Sequence, residues 1–83
     1  MNRTNINEQV IVTALGFKKD LAVYPRRIEY QGLTYDFIDA GLRCLVRHGG
    51  RIAEILTLTD GSADFRLRSD NRGYSWTLLS ITG

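Results

Sequence analysis

The stretch Leu58 to Arg68, LTDGSADFRLR, constrains the fold more than any other part of the chain. Its Asp60-Gly61 pair tolerates the positive φ angles of a two-residue type I′ turn, whose twist matches that of two right-handed strands. Beyond the turn, Ala63, Phe65 and Leu67 alternate with Asp64, Arg66 and Arg68, the period of a strand with one wet face. The register that follows pairs Leu58 with Ala63, Leu56 with Phe65 and Glu54 with Leu67.

A second hairpin runs from Arg26 to Ile38, after the only proline, Pro25, with Gln31-Gly32 at its tip. A turn there sets Tyr30 against Leu33, Ile28 against Tyr35 and Arg26 against Phe37. The other face then carries Glu29 with Thr34 and Arg27 with Asp36, an opposite-charge pair, so register and pattern agree. Asp39 to His48 allows two readings. Asp39 can cap a short helix presenting Leu42, Leu45 and Val46 and ending at Gly49. Alternatively, Leu42 to Arg47 is a strand leading into a hairpin at His48-Gly49-Gly50. The strand is preferred, because Gly41 costs a helix about 1 kcal/mol relative to Ala and the following segment needs a partner. Its register pairs Val46 with Ile52, Cys44 with Glu54 and Leu42 with Leu56. Asp70-Asn71-Arg72-Gly73 reads as a four-residue turn that sets Trp76 beside Leu67 and Leu78 beside Phe65. Near the start, Val10 to Leu15 reads as a strand closed by Gly16, Lys18-Lys19-Asp20 as a charged turn, and residues 1–8 as a flexible N-terminus.

Short strands joined by tight glycine-containing turns predict an all-β domain over residues 1–83. The expected architecture is a small antiparallel meander of about six strands, curled into a roll or barrel. The chain is short enough for its core to be marginal. The N-terminal residues lack the apolar region of a secretory signal and no run reaches membrane-spanning length, so a cytoplasmic protein that engages no membrane is expected. The lone Cys44 excludes an internal disulfide and fits a reducing compartment. Net charge is only +2, yet of eleven basic residues only Lys18 and Lys19 are lysines. Arginine suits bidentate and stacked contacts, although coding bias gives the same composition.

These registers place Leu42, Cys44, Val46, Ile52, Leu56, Leu58, Phe65, Leu67, Trp76 and Leu78 on the inner face, with Glu54 among them. A carboxylate so placed needs an Arg partner or a raised pKa, unless a bulge near Ala53 turns it outward. On the outer face Ile55 lies between Arg43 and Arg66, and Ala53 between Leu45 and Arg68, with Leu79 and Ile81 joining them. An apolar patch rimmed by arginine is the composition of an interaction surface. The candidate binding residues are therefore Arg43, Leu45, Ile55, Arg66, Arg68 and Leu79; the other possibility is that a second layer of a roll covers them. The expected function is a non-enzymatic protein-interaction module, including self-association. The alternative is a small nucleic-acid-binding barrel using Arg43, Arg47, Arg51, Arg66, Arg68 and Arg72 with Tyr74 and Trp76. The chain's nine acidic residues, four of them between Arg43 and Arg72, weaken that field. A minor enzyme with Glu54 as its acid ranks third. His48 is read as a solvated turn residue and Cys44 as a core thiol. No phosphate-binding glycine motif, zinc spacing or serine elbow occurs, so no catalytic residue, metal or cofactor is expected.

The segments YPRRIEYQGLTYDF and DGSADFRLRSDNRGYSWTLLSI together resemble small uncharacterised bacterial all-β domains. Those domains join an x-G-x-x-Y hairpin to a closing Y-x-L…W-x-L hairpin; here Phe65 stands in for the tyrosine. The resemblance implies a bacterial β-domain and carries no mechanism.

Overall fold

Alternating apolar residues and tight turns produce an all-β meander of seven strands where about six were expected: β1 (Arg3–Phe17), β2 (Val23–Tyr30), β3 (Leu33–Asp36), β4 (Leu42–His48), β5 (Arg51–Thr59), β6 (Asp64–Asp70) and β7 (Ser75–Thr82). The computed structural model describes residues 2–20, 22–70 and 73–83. The strands form one antiparallel sheet in the order β3-β2-β1-β7-β6-β5-β4, curled but not closed into a barrel. Among the described residues no helix is long and apolar enough to cross a membrane.

The curl is built into β1. Its first part pairs with β7, from Arg3 opposite Thr82 to Val10 opposite Trp76, and its second part pairs with β2, from Ile11 opposite Glu29 to Phe17 opposite Val23. The strand therefore begins at Arg3 rather than Val10, and residues 3–5 and 8, expected in a loose terminus, are paired with β7. Irregular register between Asn5 and Glu8, where Asn7 has φ 58°, and again between Val12 and Leu15 bends the strand. Bulges of this kind are how a strand turns a corner and serves two layers. One layer is β2, β3 and the end of β1; the other is β4 to β7 with the start of β1. Between them lie Val10, Ile28, Phe37, Leu56, Leu58, Phe65, Leu67, Trp76 and Leu78. Phe65 meets Tyr35 and Phe37 across the layers, with ring centroids 4.9 and 5.2 Å apart, the tilted and edge-on geometries aromatic quadrupoles favour. The Tyr30 hydroxyl donates to the Glu8 carboxylate at 2.7 Å, tying β2 to β1.

The β2–β3 hairpin has the expected register. Arg27 faces Asp36, Ile28 faces Tyr35, Glu29 faces Thr34 and Tyr30 faces Leu33. Gln31 and Gly32 both have positive φ, as a type I′ turn requires. Arg27 and Asp36 form the anticipated ion pair at 2.6 Å. From here the chain crosses to the far edge of the sheet. The Ile38 N–H bonds the Thr59 carbonyl at 3.0 Å, and Asp39 accepts from the Gly41 N–H at 2.8 Å, so Asp39 stabilises a turn and not a helix start. Gly41 has φ +66°, and a Cβ there would lie 2.1 Å from the Thr57 carbonyl oxygen, so only glycine fits this crossing.

Three registers differ from expectation, with unequal consequences. The Asp60-Gly61 turn is a four-residue loop: Thr59 pairs with Asp64, Leu58 with Phe65 and Leu56 with Leu67. The Asp60 carboxylate reorganises it, accepting from the Ser62 N–H, the Ala63 N–H and the Ser62 hydroxyl at 2.9–3.0 Å, an arrangement typical of Asx turns. A slip of two residues keeps every side chain on its face, so Leu56, Leu58, Phe65 and Leu67 stay inside. Likewise β6 and β7 pair Ser69 with Trp76 and Leu67 with Leu78, leaving Trp76 and Leu78 buried as expected. Of the turn predicted before them, Asn71 and Arg72 lie outside the described residues. A register shift between Leu78 and Ser80 then brings Ile81 opposite Phe65 and onto the core, not outward. Beside it the Ser80 hydroxyl is buried with no hydrogen-bond partner among the described residues, at a cost of about 1–3 kcal/mol. The slip at β4 is by one residue and matters most: Val46 pairs with Ala53, Cys44 with Ile55 and Leu42 with Thr57.

The Asp60 carboxyl is pushed up by partial burial, but its hydrogen bonds from Ser62 and Ala63 outweigh this and hold it below the ordinary carboxylate value. A lowered native pKa stabilises the fold above the unfolded pKa of about 3.9, and that contribution is lost as pH falls through the native value. Asp60→Asn is therefore expected to lower Tm at pH 7, and the gap to the wild type should close in melts below pH 4. An equal gap at both pH values would contradict the assignment.

Candidate functional site

The one-residue slip at β4 exchanges the two faces of that strand. Arg43 lies opposite Leu56, Leu45 opposite Glu54 and Arg47 opposite Ile52, on the side that continues into the core. Leu42, Cys44 and Val46, expected inside, are exposed on the outer side. Ile52 is exposed as well, since the second layer does not reach it.

The predicted patch is thus divided. Ile55 and Arg68 are cross-strand partners, and Arg66 lies one step along the same face, opposite Thr57. Ile55 is buried to 9% exposure without joining the core cluster. Arg43 and Leu45 sit on the opposite face, and Leu79 is half-buried where the β7 register shifts. Arg68 is not a free rim charge. Its Nε bonds Asp70 at 2.9 Å and its Nη2 bonds the Thr77 hydroxyl at 3.4 Å, which itself donates to Asp70 at 2.5 Å. The apolar residues exposed outside are Leu42, Cys44 and Val46, with Arg66 and Arg68 beyond the buried Ile55.

The same slip creates a site that the sequence did not reveal as one place. Where β4 and β5, the β1–β2 turn and the β6–β7 turn meet, the layers splay around a cavity of about 500 Å³. Val23 and Ile52 line its apolar sides, Trp76 and Tyr74 its aromatic side, and Arg43 and Glu54 its polar wall. Arg43 Nη2 and Glu54 Oε2 are 2.8 Å apart. Glu54 therefore has the Arg partner foreseen for it, with no bulge in the β4–β5 ladder to turn it away. Trp76 is 3% exposed and forms the floor, whereas Tyr74, at 91%, stands free at the rim. The nucleic-acid alternative groups Arg43 with Tyr74 and Trp76, among other arginines, but leaves Glu54 to a separate hypothesis; the β4 register is what sets the four around one cavity. Cavities of this volume at the mouth of a β-roll match the size of small-ligand sites. Among the described residues no cluster of His, Cys, Asp and Glu could hold a metal ion. The chain matches no protein-family model, no curated protein and no solved structure.

The Arg43 and Glu54 side chains are 47% and 28% exposed, so water screens their attraction. Glu54→Gln is expected to change stability by less than about 1 kcal/mol in urea unfolding. A loss well above that would make the pair a structural support of the roll rather than the wall of a site.

Proposed function

We propose that this chain is a non-enzymatic interaction module that recognises protein by strand addition, with a second copy of itself as partner along β4. The observation that carries this reading is the state of β4. It is an edge strand, hydrogen-bonded to β5 and open on its other side, and Leu42, Leu45 and Val46 are all exposed, the first two at 76% and 59%. Edge strands are commonly blunted by Lys or Pro, and open ones accept a further strand. The sequence LRCLVRH contains neither residue. Its charges at Arg43 and Arg47 fall on the mouth side, leaving Leu42, Cys44 and Val46 as an uncharged outer stripe that runs into Ile55. Pairing β4 with another β4 satisfies the open backbone groups and covers that stripe in one step, by a symmetric contact. Glu54 is engaged by Arg43 instead of standing alone in apolar surroundings, which supports binding over proton transfer. A reducing cytoplasm, the compartment proposed for the protein, would keep Cys44 in this strand a thiol.

Sedimentation equilibrium tests the reading. The wild type is expected to dimerise, with Tm rising with protein concentration, and Leu42→Lys with Val46→Lys is expected to yield a folded monomer. A wild type that stays monomeric at every concentration would remove self-pairing from the account.

A further inference from the structure

We infer that the mouth cavity binds an unpaired nucleobase together with its phosphate, the chemistry shared by a free nucleotide and by single-stranded nucleic acid. Three features of the cavity converge on that ligand, and none of them is used by the β4 edge contact. The first is Tyr74, an aromatic ring almost wholly in water at the rim of a cavity floored by Trp76. The fold gains little from a tyrosine so placed, and a flat base stacked on it would cover the ring, a contact any base can make. The second is the Arg43–Glu54 pair, which presents guanidinium donors and a carboxylate acceptor side by side. Base edges likewise place acceptors beside donors, so one edge can bond both side chains. A purely anionic ligand would gain from Arg43 but meet Glu54, and a purely cationic one the reverse; a base edge suits both.

The third feature is charge at the rim. Arg47 lies opposite Ile52 in the ladder, on the face of Arg43. Lys18 and Lys19 sit in the turn whose Ala22 and Val23 line the cavity, a turn closed by the Lys18 N–H bond to the Ala22 carbonyl. Asp70 is paired with Arg68 and held by Thr77, and Asp20, which accepts from the Ala22 N–H and keeps its charge, stands against three cations, Arg47, Lys18 and Lys19. The mouth therefore offers phosphate oxygens a basic rim beyond the base-reading pair.

Trp76 is the only tryptophan, so its emission reports on the cavity directly. The probes are guanosine and adenosine monophosphate and a mixed-sequence ten-nucleotide single-stranded RNA, titrated into the full chain. Saturable quenching by the RNA or by a mononucleotide is expected, with Tyr74→Ala and Arg43→Ala each weakening it about tenfold. Lys18→Ala with Lys19→Ala should flatten the salt dependence of RNA binding without removing the quenching. Quenching by the RNA alone identifies a nucleic-acid chain as the source, and quenching by a mononucleotide as well identifies the nucleotide unit. Tyr74 is exposed, so its removal leaves the fold intact, which circular dichroism verifies. No saturable change with any probe overturns the inference, as does RNA binding that salt abolishes but Tyr74→Ala and Arg43→Ala leave unchanged. The Leu42→Lys, Val46→Lys variant should keep the saturable quenching and its dependence on Tyr74 and Arg43, its added lysines raising only the salt-dependent part of RNA binding, so self-pairing and ligand binding succeed or fail separately.

Discussion

The two layers are held together by Phe65. Tyr35 and Phe37 from β3 and the residue that follows it close on its ring from the opposite layer, and Ile28 and Leu58 are fully buried in the same core. Burying a side chain of that size contributes about 1.5–3 kcal/mol, a large share of what a domain this small can muster. The contact is possible only because β1 bends. A straight β1 would extend one flat sheet, leaving Phe65 and Phe37 on a solvated face. Bulges at Asn7 and beyond Val12 fold the sheet over at that strand, and the Ile38–Thr59 hydrogen bond fixes the lip where the chain crosses between edges.

At the other end of the roll the layers part. A dry contact there would need an unbroken apolar face, and β4 and β5 set Arg43 and Glu54 among Leu45 and Ile52, with Ser69 nearby. An ion pair that keeps its contact with water costs little, whereas the same pair fully enclosed would carry a heavy desolvation penalty. The roll therefore stays open where it is polar and closes where it is aromatic. The cavity follows from that asymmetry, since Trp76 and Leu67 continue the core up to its floor. The proposed ligand site and the proposed edge contact use different sides of β4, so a single strand can contribute to both.

Much of this was legible in the chain, and the exceptions share one cause. The Gln31-Gly32 hairpin was readable to the residue, because turn chemistry and the Arg27–Asp36 pair specify one register. The buried set Leu56, Leu58, Phe65, Leu67, Trp76 and Leu78 was also readable, despite a wrong turn length at Asp60 and a turn placed one residue early at Asp70, because an even slip preserves the faces. What was not legible was β4. Leu42, Cys44, Leu45 and Val46 are apolar on both sides of the strand, so alternation cannot say which face is inward, and Gly49-Gly50 admits a loop of two residues or three. The bend in β1 left no clear signal either, since Asn7 adopts positive φ without a glycine to mark it.

The mouth and the edge both rest on that single register. Cross-strand NOEs between Hα protons and amides of β4 and β5 in the isotopically labelled protein measure it directly. The account predicts contacts linking Cys44 with Ile55 and Val46 with Ala53. Contacts linking Cys44 with Glu54 and Val46 with Ile52 would contradict it, returning Arg43 to the outer face and dissolving the cavity wall.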